Sequence, residues 1–195
     1  MKILHAELLP IDGVSFVFWG GETKEQNYHI ENRAQRHAFD FTGMHQPTLR
    51  YRGDGTKNED YFIFDRPIIA PLDGVVIEAV DGIRDNQPKK MHQYMIFGNS
   101  LIVQHDVSIF SVFAHLKCGS VSVRPGDHIK TGAHIARCGN SGRSSEPHLH
   151  FHAQSTDDVN DADGLRCVFK RIRVDHSFRE DYSPVRLDIV ENIKG

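Results

Sequence analysis

Three histidines stand at every second position of one short segment, EPHLHFHAQ at 146–154: His148, His150 and His152. In an extended strand successive side chains point to opposite faces, so the three imidazoles share one face and the apolar residues between them share the other. Neutral imidazole is the commonest protein ligand of metal ions, and donors at positions i and i+2 of a strand can converge on one ion. The alternative is a half-exposed surface strand in a chain with 13 histidines. One strand cannot complete a metal site, so other segments must supply ligands.

The segment NYHIENRAQRHAFDF, residues 27–41, holds three further candidate ligands: His29, His37 and Asp40. Asp40 stands between two phenylalanines in a strand-like run, where a buried carboxylate is costly unless it is paired. A metal ion would pair it. The alternative is a salt bridge with a neighbouring arginine, Arg33 or Arg36.

A sixth histidine of interest, His115, ends the apolar run IFSVFAHL at 109–116. Strict alternation places its side chain on the same face as Ile109, Ser111 and Phe113. Taken alone, a histidine at the end of a strand is explained by ordinary hydrogen bonding. Its interest comes from the other candidate ligands.

Together these residue types match the needs of a hydrolytic metal centre. A catalytic zinc ion takes three ligands from His, Asp or Glu and leaves its fourth position to water. The bound water becomes acidic enough to supply hydroxide near neutral pH. Additional histidines can then move the proton and stabilise a developing oxyanion. Five groups of these types would complete such a centre.

The elements that must position these residues read as β-strands. Short runs rich in β-branched and aromatic residues are bounded by Gly, Pro, Asn, Asp and Ser, a pattern typical of antiparallel sheets. Strands are predicted at VSFVFW (14–19), YFIFD (61–65), GVVIEAV (74–80), SLIVQH (100–105), IFSVFAHL (109–116), HIARC (134–138) and HLHFHA (148–153). Helices are a minor component, with one short turn or helix near TKEQN (23–27). The predicted class is mainly β.

The bulk properties indicate one folded domain over 1–195 and exclude several classes of function. The chain has 23 Lys and Arg against 26 Asp and Glu, a net charge of -3, so no nucleic-acid partner is predicted. No apolar stretch is long enough for a membrane span, and the first residues do not resemble a secretion signal. The three cysteines lie far apart and are predicted to be small core residues: Cys118, Cys138 and Cys167.

Three segments fall outside the predicted strands. Residues 84–99 form a polar excursion that either walls a cleft or is a passive insertion. Residues 155–163, STDDVNDAD, are predicted to be a solvated acidic loop, because the glycine and final glutamate of a helix–loop–helix calcium site are missing. The last thirty or so residues are predicted to add one or two strands at a sheet edge.

Several motifs in order resemble the lysostaphin-like zinc metallopeptidases, the class that includes glycyl-glycine endopeptidases of bacterial cell walls. They are SVFAHL (111–116), VRPGDHIKTGAHIARCGNSG (123–142) and PHLHF (147–151), preceded by APLDGVVIEAVDG (70–82) and GNSLIVQH (98–105). The resemblance implies antiparallel β-sheets packed as a barrel-sandwich, with a metal-binding groove and few short helices. It also implies a peptidase-like core at about 27–155, with strand extensions at both ends.

The resemblance also implies roles for individual residues. Its H-x-H element makes His150 a ligand of one Zn²⁺ and His148 a catalytic histidine, and its A-H-L element makes His115 the second catalytic histidine. His152 stands where many members carry glutamate, so its role is unassigned.

The first motif departs from the usual family pattern. A histidine normally stands four residues before the aspartate, and here that position is Arg36. A branch of the family reads Asn-x-His followed by Ala-aromatic-Asp, which maps the ligands onto His29 and Asp40. His37 is the competing ligand, but an i, i+3 pair on a strand would need a bulge to reach one ion.

The expected function is that of a zinc-dependent endopeptidase that hydrolyses peptide bonds in peptidoglycan crosslinks or other glycine-rich peptides. A noncatalytic relative that binds and regulates cell-wall hydrolases is the main alternative. A carrier or phosphotransfer module, with Lys130 as the modified residue, is a second. The ligand set would also accept Mn, Co, Ni or Fe. The expected location is the cell envelope or the exterior by resemblance, or the cytoplasm if no signal precedes the chain.

Overall fold

The computed structural model describes residues 2–44 and 49–193, which consist mainly of β-strands. The strands of this part are β1 Ile3–Ala6, β2 Ser15–Trp19, β3 Phe39–Thr42, β4 Pro67–Ile69, β5 Gly74–Val80, β6 Asn99–Asp106, β7 Ile109–Leu116, β8 His128–Ile129, β9 His134–Arg137, β10 Leu149–Gln154, β11 Gly164–Val174, β12 Ser177–Tyr182 and β13 Ile189–Asn192. Two 3-10 helices cover Tyr28–Glu31 and Asn58–Asp60. The described ranges contain no helix with the length and apolarity needed to span a bilayer.

One large sheet carries almost all of the strands. Its order is β1-β11-β13-β2-β3-β10-β7-β6-β5-β8, with β12 paired to β11 and a further pairing of β10 with β11. The last pairing closes five strands, β11, β13, β2, β3 and β10, into a barrel-like ring. All pairs are antiparallel except β1 with β11. Strand β10 is therefore central, because it pairs with β3, β7 and β11.

The core lies on one face of β10 and its neighbours. Phe151 is the register partner of Phe39 on β3 and of Phe113 on β7, and all three are at most 1% exposed. The rings of Phe113 and Phe151 meet edge to face with centroids 5.2 Å apart. Burying each such side chain contributes roughly 1.5–3 kcal/mol. This packing fixes which face of β10 points inward and leaves the histidine face on the other side.

Most strand predictions are confirmed. The strands at 74–80 and 109–116 have the predicted bounds, and those near 14–19, 100–105, 134–138 and 148–153 differ by a residue at an end. Cys138 and Cys167 lie in the core as expected, whereas Cys118 is partly exposed. TKEQN contains a turn, and the nearby 3-10 helix begins after it, at Tyr28.

The strand predicted at 61–65 is wrong. This segment forms consecutive turns, with Phe64 N donating to Tyr61 O at 3.2 Å and Arg66 N donating to Ile63 O at 3.1 Å. Tyr61 and Ile63 are buried, so the alternation correctly marked the inward side chains. It failed as a strand signal because a turn can bury two side chains that are two residues apart, and the strand begins only at Pro67.

The prediction for the C-terminal residues is also wrong in part. Three strands form instead of one or two, and β11 and β13 lie inside the closed ring, with only β12 at an edge. The 11-residue β11 is long enough to pair with β1, β10, β12 and β13. Such distant pairings leave no signal in local sequence.

Candidate metal centre and active site

The pairing of β3 with β10 places Asp40 opposite His150. The two residues are register partners, and His150 Nδ1 lies 2.9 Å from Asp40 Oδ1. Partners in an antiparallel ladder project from the same face, so the neighbouring phenylalanines enter the core while the carboxylate and the imidazole meet outside it. The predicted alternation around Asp40 therefore holds.

His29 reaches the same carboxylate from the first 3-10 helix. Its Nε2 lies 3.0 Å from Asp40 Oδ2. Asn27 caps this helix by accepting a hydrogen bond from His29 N at 3.1 Å, and its amide donates to Ala38 O at 3.0 Å. One side chain thus ties the helix of His29 to the start of the strand that carries Asp40.

The three groups form a compact set of donors. One ligand atom from each of His29, Asp40 and His150 lies within 4.8 Å of the others, and the residues are only 6%, 4% and 2% exposed. Ligand bonds of ~2.0–2.1 Å in a tetrahedral zinc site separate neighbouring donors by roughly 3.3 Å. The separations of 3.0 and 2.9 Å between the two imidazoles and the nearest Asp40 oxygens therefore need to open by only a few tenths of an ångström. Two imidazoles and a carboxylate fit zinc in both geometry and chemistry.

The environment of Asp40 keeps it ionised. Burial alone would raise the pKa of its carboxyl, but the charges of His29 and His148 and the close imidazoles of His150 and His29 hold the pKa well below its usual range. The salt-bridge alternative is not what the structure contains, since Arg33 pairs with Asp163 at 2.7 Å. Ionised Asp40 instead faces histidines.

His37, the competing ligand, is not among the side chains that converge on Asp40 within the described residues. It is half-buried beside Glu22, Arg36 and Arg166, and burial lowers the pKa of its imidazole.

A β-bulge brings His115 to the site. Asn99 on β6 pairs with Leu116, whereas Leu101 pairs with Phe113, so Ala114 and His115 together oppose a single residue. His115 has φ +62°, a left-handed conformation that non-glycine residues adopt at a cost. The predicted face is therefore wrong. Phe113 enters the core, but the bulge turns His115 to the histidine face, where its ring centroid lies 6.0 Å from that of His150.

His115 and His148 are held alike, with their ring centroids 4.7 Å apart. His115 Nδ1 lies 2.9 Å from Ser141 O, and His148 Nδ1 lies 2.9 Å from Glu146 O. A carbonyl only accepts, so each Nδ1 donates and the neutral ring carries its lone pair on Nε2. His148 Nε2 lies 3.9 Å from Asp40 Oδ1. Burial, followed by the nearby His148 and His150, lowers the pKa of His115 well below its usual range.

His152, for which the sequence indicated no role, is completely buried behind His150. Its Nδ1 lies 3.0 Å from His150 Nε2, and its Nε2 lies 2.8 Å from Gln154 Oε1. Burial lowers the pKa of its imidazole well below the ordinary value. It contacts a candidate ligand without reaching the ion position itself.

The donor set opens into a cleft of about 740 Å³. Trp19 and Tyr28 line one side, while Met91, Ile96 and Phe97 come from the loop at 84–99, which supports the prediction that this loop walls a cleft. An ion pair between Arg50 and Glu146, with Nε and Oε1 2.8 Å apart, lies in the same lining.

Sequence reasoning missed four residues that shape this site: Asn27, Arg50, Phe97 and Gln154. Asn27 had a visible signal, because it opens the Asn-x-His motif. Gln154 also had a signal, since alternation along the strand places it on the face of the three histidines, and Phe97 lies in the segment that either walls a cleft or is a passive insertion. Arg50 had no signal, because it reaches the site only through tertiary contacts. Lys130, the residue required by the carrier alternative, lies with its Nζ 2.7 Å from Asp73 Oδ2.

The chain belongs to Peptidase family M23, whose model matches residues 59–162. The matched range contains His115, His148 and His150, whereas His29 and Asp40 precede it. A protein of Buchnera aphidicola subsp. Baizongia pistaciae described as an uncharacterized metalloprotease is 33% identical over 85 residues, 44% of this chain. The alignment covers 19% of that relative, so this chain corresponds to only part of it.

The chain is also similar to solved structures. A protein of Ruminococcus gnavus described as a glycyl-glycine endopeptidase LytM is 15% identical, with a TM-score of 0.50 over 83% of this chain and 57% of that one. The catalytic domain of the antimicrobial peptidase lysostaphin from Staphylococcus simulans is 17% identical, with a TM-score of 0.44 over 78% of this chain and 88% of that one. The expected mainly β, barrel-like fold is confirmed.

Proposed function

We propose that this protein is a zinc-dependent endopeptidase whose metal is held by His29, Asp40 and His150. The observation that carries the proposal is the convergence of these three buried donors, within 4.8 Å of one another, at the base of an open cleft. Membership in a peptidase family supports the hydrolytic reaction.

A zinc ion bound there would supply a Lewis acid that acidifies a water molecule and polarises a peptide carbonyl. Asp40 has a separate task. Its two oxygens lie near different imidazoles, at 3.0 Å from His29 and 2.9 Å from His150, so it holds both rings in position and contributes the negative charge of the set.

His115 and His148 would handle the proton and the oxyanion. Because Nδ1 of each ring is engaged by a carbonyl, only Nε2 is available to the reaction. One ring takes a proton from the attacking water at Nε2 and passes it to the departing amine as the C–N bond breaks. The other ring, protonated at Nε2, donates a hydrogen bond to the oxyanion that develops on the peptide carbonyl. Either ring fits either task.

The proposed substrates are peptide crosslinks of peptidoglycan or other glycine-rich peptides. Support comes from the family and from a fold shared with a protein described as a glycyl-glycine endopeptidase. The cleft lining includes the aromatic rings of Trp19, Tyr28 and Phe97, against which an extended peptide would pack.

The test is digestion of purified peptidoglycan and a panel of glycine-rich peptides by the parent protein and by His150→Ala, with and without a chelator. We expect cleavage by the parent alone, lost with chelator and restored by zinc. His134→Ala is the matched control, since His134 is exposed on β9, outside the cleft lining. Equal cleavage by the parent and His150→Ala would eliminate the proposed site.

Metal content separates this function from the regulatory alternative. A folded parent protein that holds no zinc and gains none on addition would favour a noncatalytic binding partner. If the parent holds zinc and His150→Ala does not, but no substrate is cleaved, the substrate assignment fails and the metal centre stands.

A further inference from the structure

We propose that Gln154 and His152 are positioning residues that set the tautomer of His150 and so aim its Nδ1 lone pair at the metal position. This inference rests on the proposed function, because it assigns a task to residues behind the proposed ligand. The three side chains follow one another along the histidine face of β10.

The orientation of Gln154 is the starting point. Its Nε2 donates to Thr156 O at 2.8 Å, with Asp157 O at 3.4 Å. Both partners are backbone carbonyls, which only accept, so the amide nitrogen must face them. The oxygen Oε1 therefore faces His152. The backbone of the acidic loop thus fixes which end of the Gln154 amide points along the strand.

The direction of each following hydrogen bond is then determined. Gln154 Oε1 can only accept, so His152 Nε2 carries a proton and donates to it at 2.8 Å. In a neutral ring Nδ1 of His152 is then an acceptor. It accepts at 3.0 Å from His150 Nε2, which must carry the proton of that ring.

The consequence appears at the metal position. With its proton on Nε2, neutral His150 presents an Nδ1 lone pair to Asp40 Oδ1 at 2.9 Å, so two acceptors face each other. A cation between them removes this conflict. If the hydrogen bonds ran in the opposite direction, His150 would carry its proton on Nδ1. That proton would bond to Asp40 and occupy the position of the metal.

The hydrogen-bonded series of Gln154, His152 and His150, called the relay below, is isolated from solvent. His152 and Gln154 are both 0% exposed, and the ring of Phe97 covers the pair of histidines, with centroids 6.2 Å from His150 and 6.1 Å from His152. If the hydrogen bonds of the relay were broken or reversed in direction, a buried polar group would be left unpaired, which costs about 1–3 kcal/mol.

The direct test reads tautomers by ¹⁵N–¹H correlation spectra of the histidine rings in metal-free protein at pH 8. In the parent we expect protons on Nε2 of both His150 and His152. Gln154→Leu removes the acceptor of His152. In the metal-free variant we therefore expect the hydrogen bonds to reverse direction and run toward Asp40, with protons on Nδ1 of both His150 and His152. Gln154→Glu keeps an acceptor for His152 and should retain the parent tautomers.

Zinc affinity gives an independent readout, measured by competition with a chelating indicator. Zinc binding to Gln154→Leu would require both rings to reverse again, so we expect its Kd to rise about 10- to 100-fold, the usual effect of losing a partner behind a ligand. Gln154→Glu should restore most of the affinity. Gln104→Leu makes the same change of side chain on β6, outside the cleft lining. It is the control variant and should bind zinc like the parent.

Two results would overturn the relay: Nδ1 protons on His150 and His152 in the metal-free parent, or parent-like tautomers and zinc Kd in Gln154→Leu. Failure of the proposed function looks different. In that case His150→Ala would keep its zinc affinity or its activity, while the tautomers of the metal-free parent would be as predicted here.

Discussion

Asp40 and His150 are register partners on adjacent strands, and their side chains meet at 2.9 Å on the face opposite the core. The contact joins residues 110 positions apart in the chain. The same ladder buries Phe39 and Phe151, so the packing of the core and the geometry of the proposed metal site depend on one register. A slip of β10 by one residue would turn His150 into the core and separate it from Asp40.

Replacing Asp40 with asparagine should abolish tight zinc binding, with a loss of at least about 100-fold in affinity and no detectable cleavage. The variant keeps the shape of the side chain but removes the negative charge that faces His29 and His150. Zinc content and Kd measure the effect. Asp163→Asn removes a carboxylate that pairs with Arg33 at the surface and should change neither value. Parent-like zinc affinity in Asp40→Asn would contradict the ligand assignment.

His115→Ala and His148→Ala should each lower kcat by about 10²–10⁴-fold while retaining zinc. Neither ring belongs to the set of His29, Asp40 and His150. Steady-state cleavage of a glycine-rich peptide and zinc analysis of the same samples separate the two properties. Loss of zinc from both variants would instead place these histidines among the ligands.

Asn27→Ala should weaken both the fold and the metal site. The change removes a helix cap and a buried link to the strand of Asp40, so we expect a loss of about 1–2 kcal/mol in the free energy of unfolding. Zinc affinity should fall because His29 is no longer held. Urea denaturation and zinc titration measure the two effects. Asn27→Asp keeps the capping oxygen but places a second carboxylate oxygen against the carbonyls that the amide contacts, so it should be at least as destabilising as Asn27→Ala.

Metal-free protein should lose stability as the pH falls from about 6.5 to about 4. Burial lowers the pKa of His150 from its ordinary 6.5 to about 4, and it lowers the pKa values of His115 and His152 in the same direction. In that window the unfolded chain binds protons that the native chain excludes, so the free energy of unfolding rises with pH. His150 alone contributes on the order of 3 kcal/mol, at about 1.4 kcal/mol for each unit of pKa shift.

Urea denaturation at intervals across this pH range measures the slope. His150→Gln should flatten the curve in part, whereas His134→Gln should leave it unchanged. Equal stability of the parent at pH 7 and pH 4.5 would refute the prediction. The stabilisation from the depressed pKa of Asp40 is present throughout this range, and it is lost only at lower pH, as the carboxylate takes up a proton.

Gly98→Ala should destabilise the protein by about 2 kcal/mol or more and lower activity. Gly98 has φ +62°, and an added Cβ would lie 2.5 Å from the carbonyl carbon of Ser141. Ser141 O accepts the hydrogen bond from His115 Nδ1, so any shift would disturb that ring. Gly82→Ala also has a positive φ, 90°, but the added Cβ has open space around it. The loss in the free energy of unfolding of Gly82→Ala therefore measures the cost of the backbone conformation alone.

Local periodicity determined much of the fold, because alternation along a strand reports which side chains are buried. Strands β5 and β7 and the histidine face of β10 follow directly from it. Local pattern misled at 61–65, where turns bury Tyr61 and Ile63 without forming a strand, and at His115, where a bulge reverses the expected face.

The sequence by itself determined the residue types of the proposed metal centre and the alternation that presents His148, His150 and His152 on one face. Only the tertiary structure decided that His29 rather than His37 meets Asp40, that His115 turns toward the cleft, and that Gln154 supports His150 through His152. The reason is physical. Those relationships depend on strand register, a bulge and backbone carbonyls from distant segments, and none of these leaves a periodic signal in the chain.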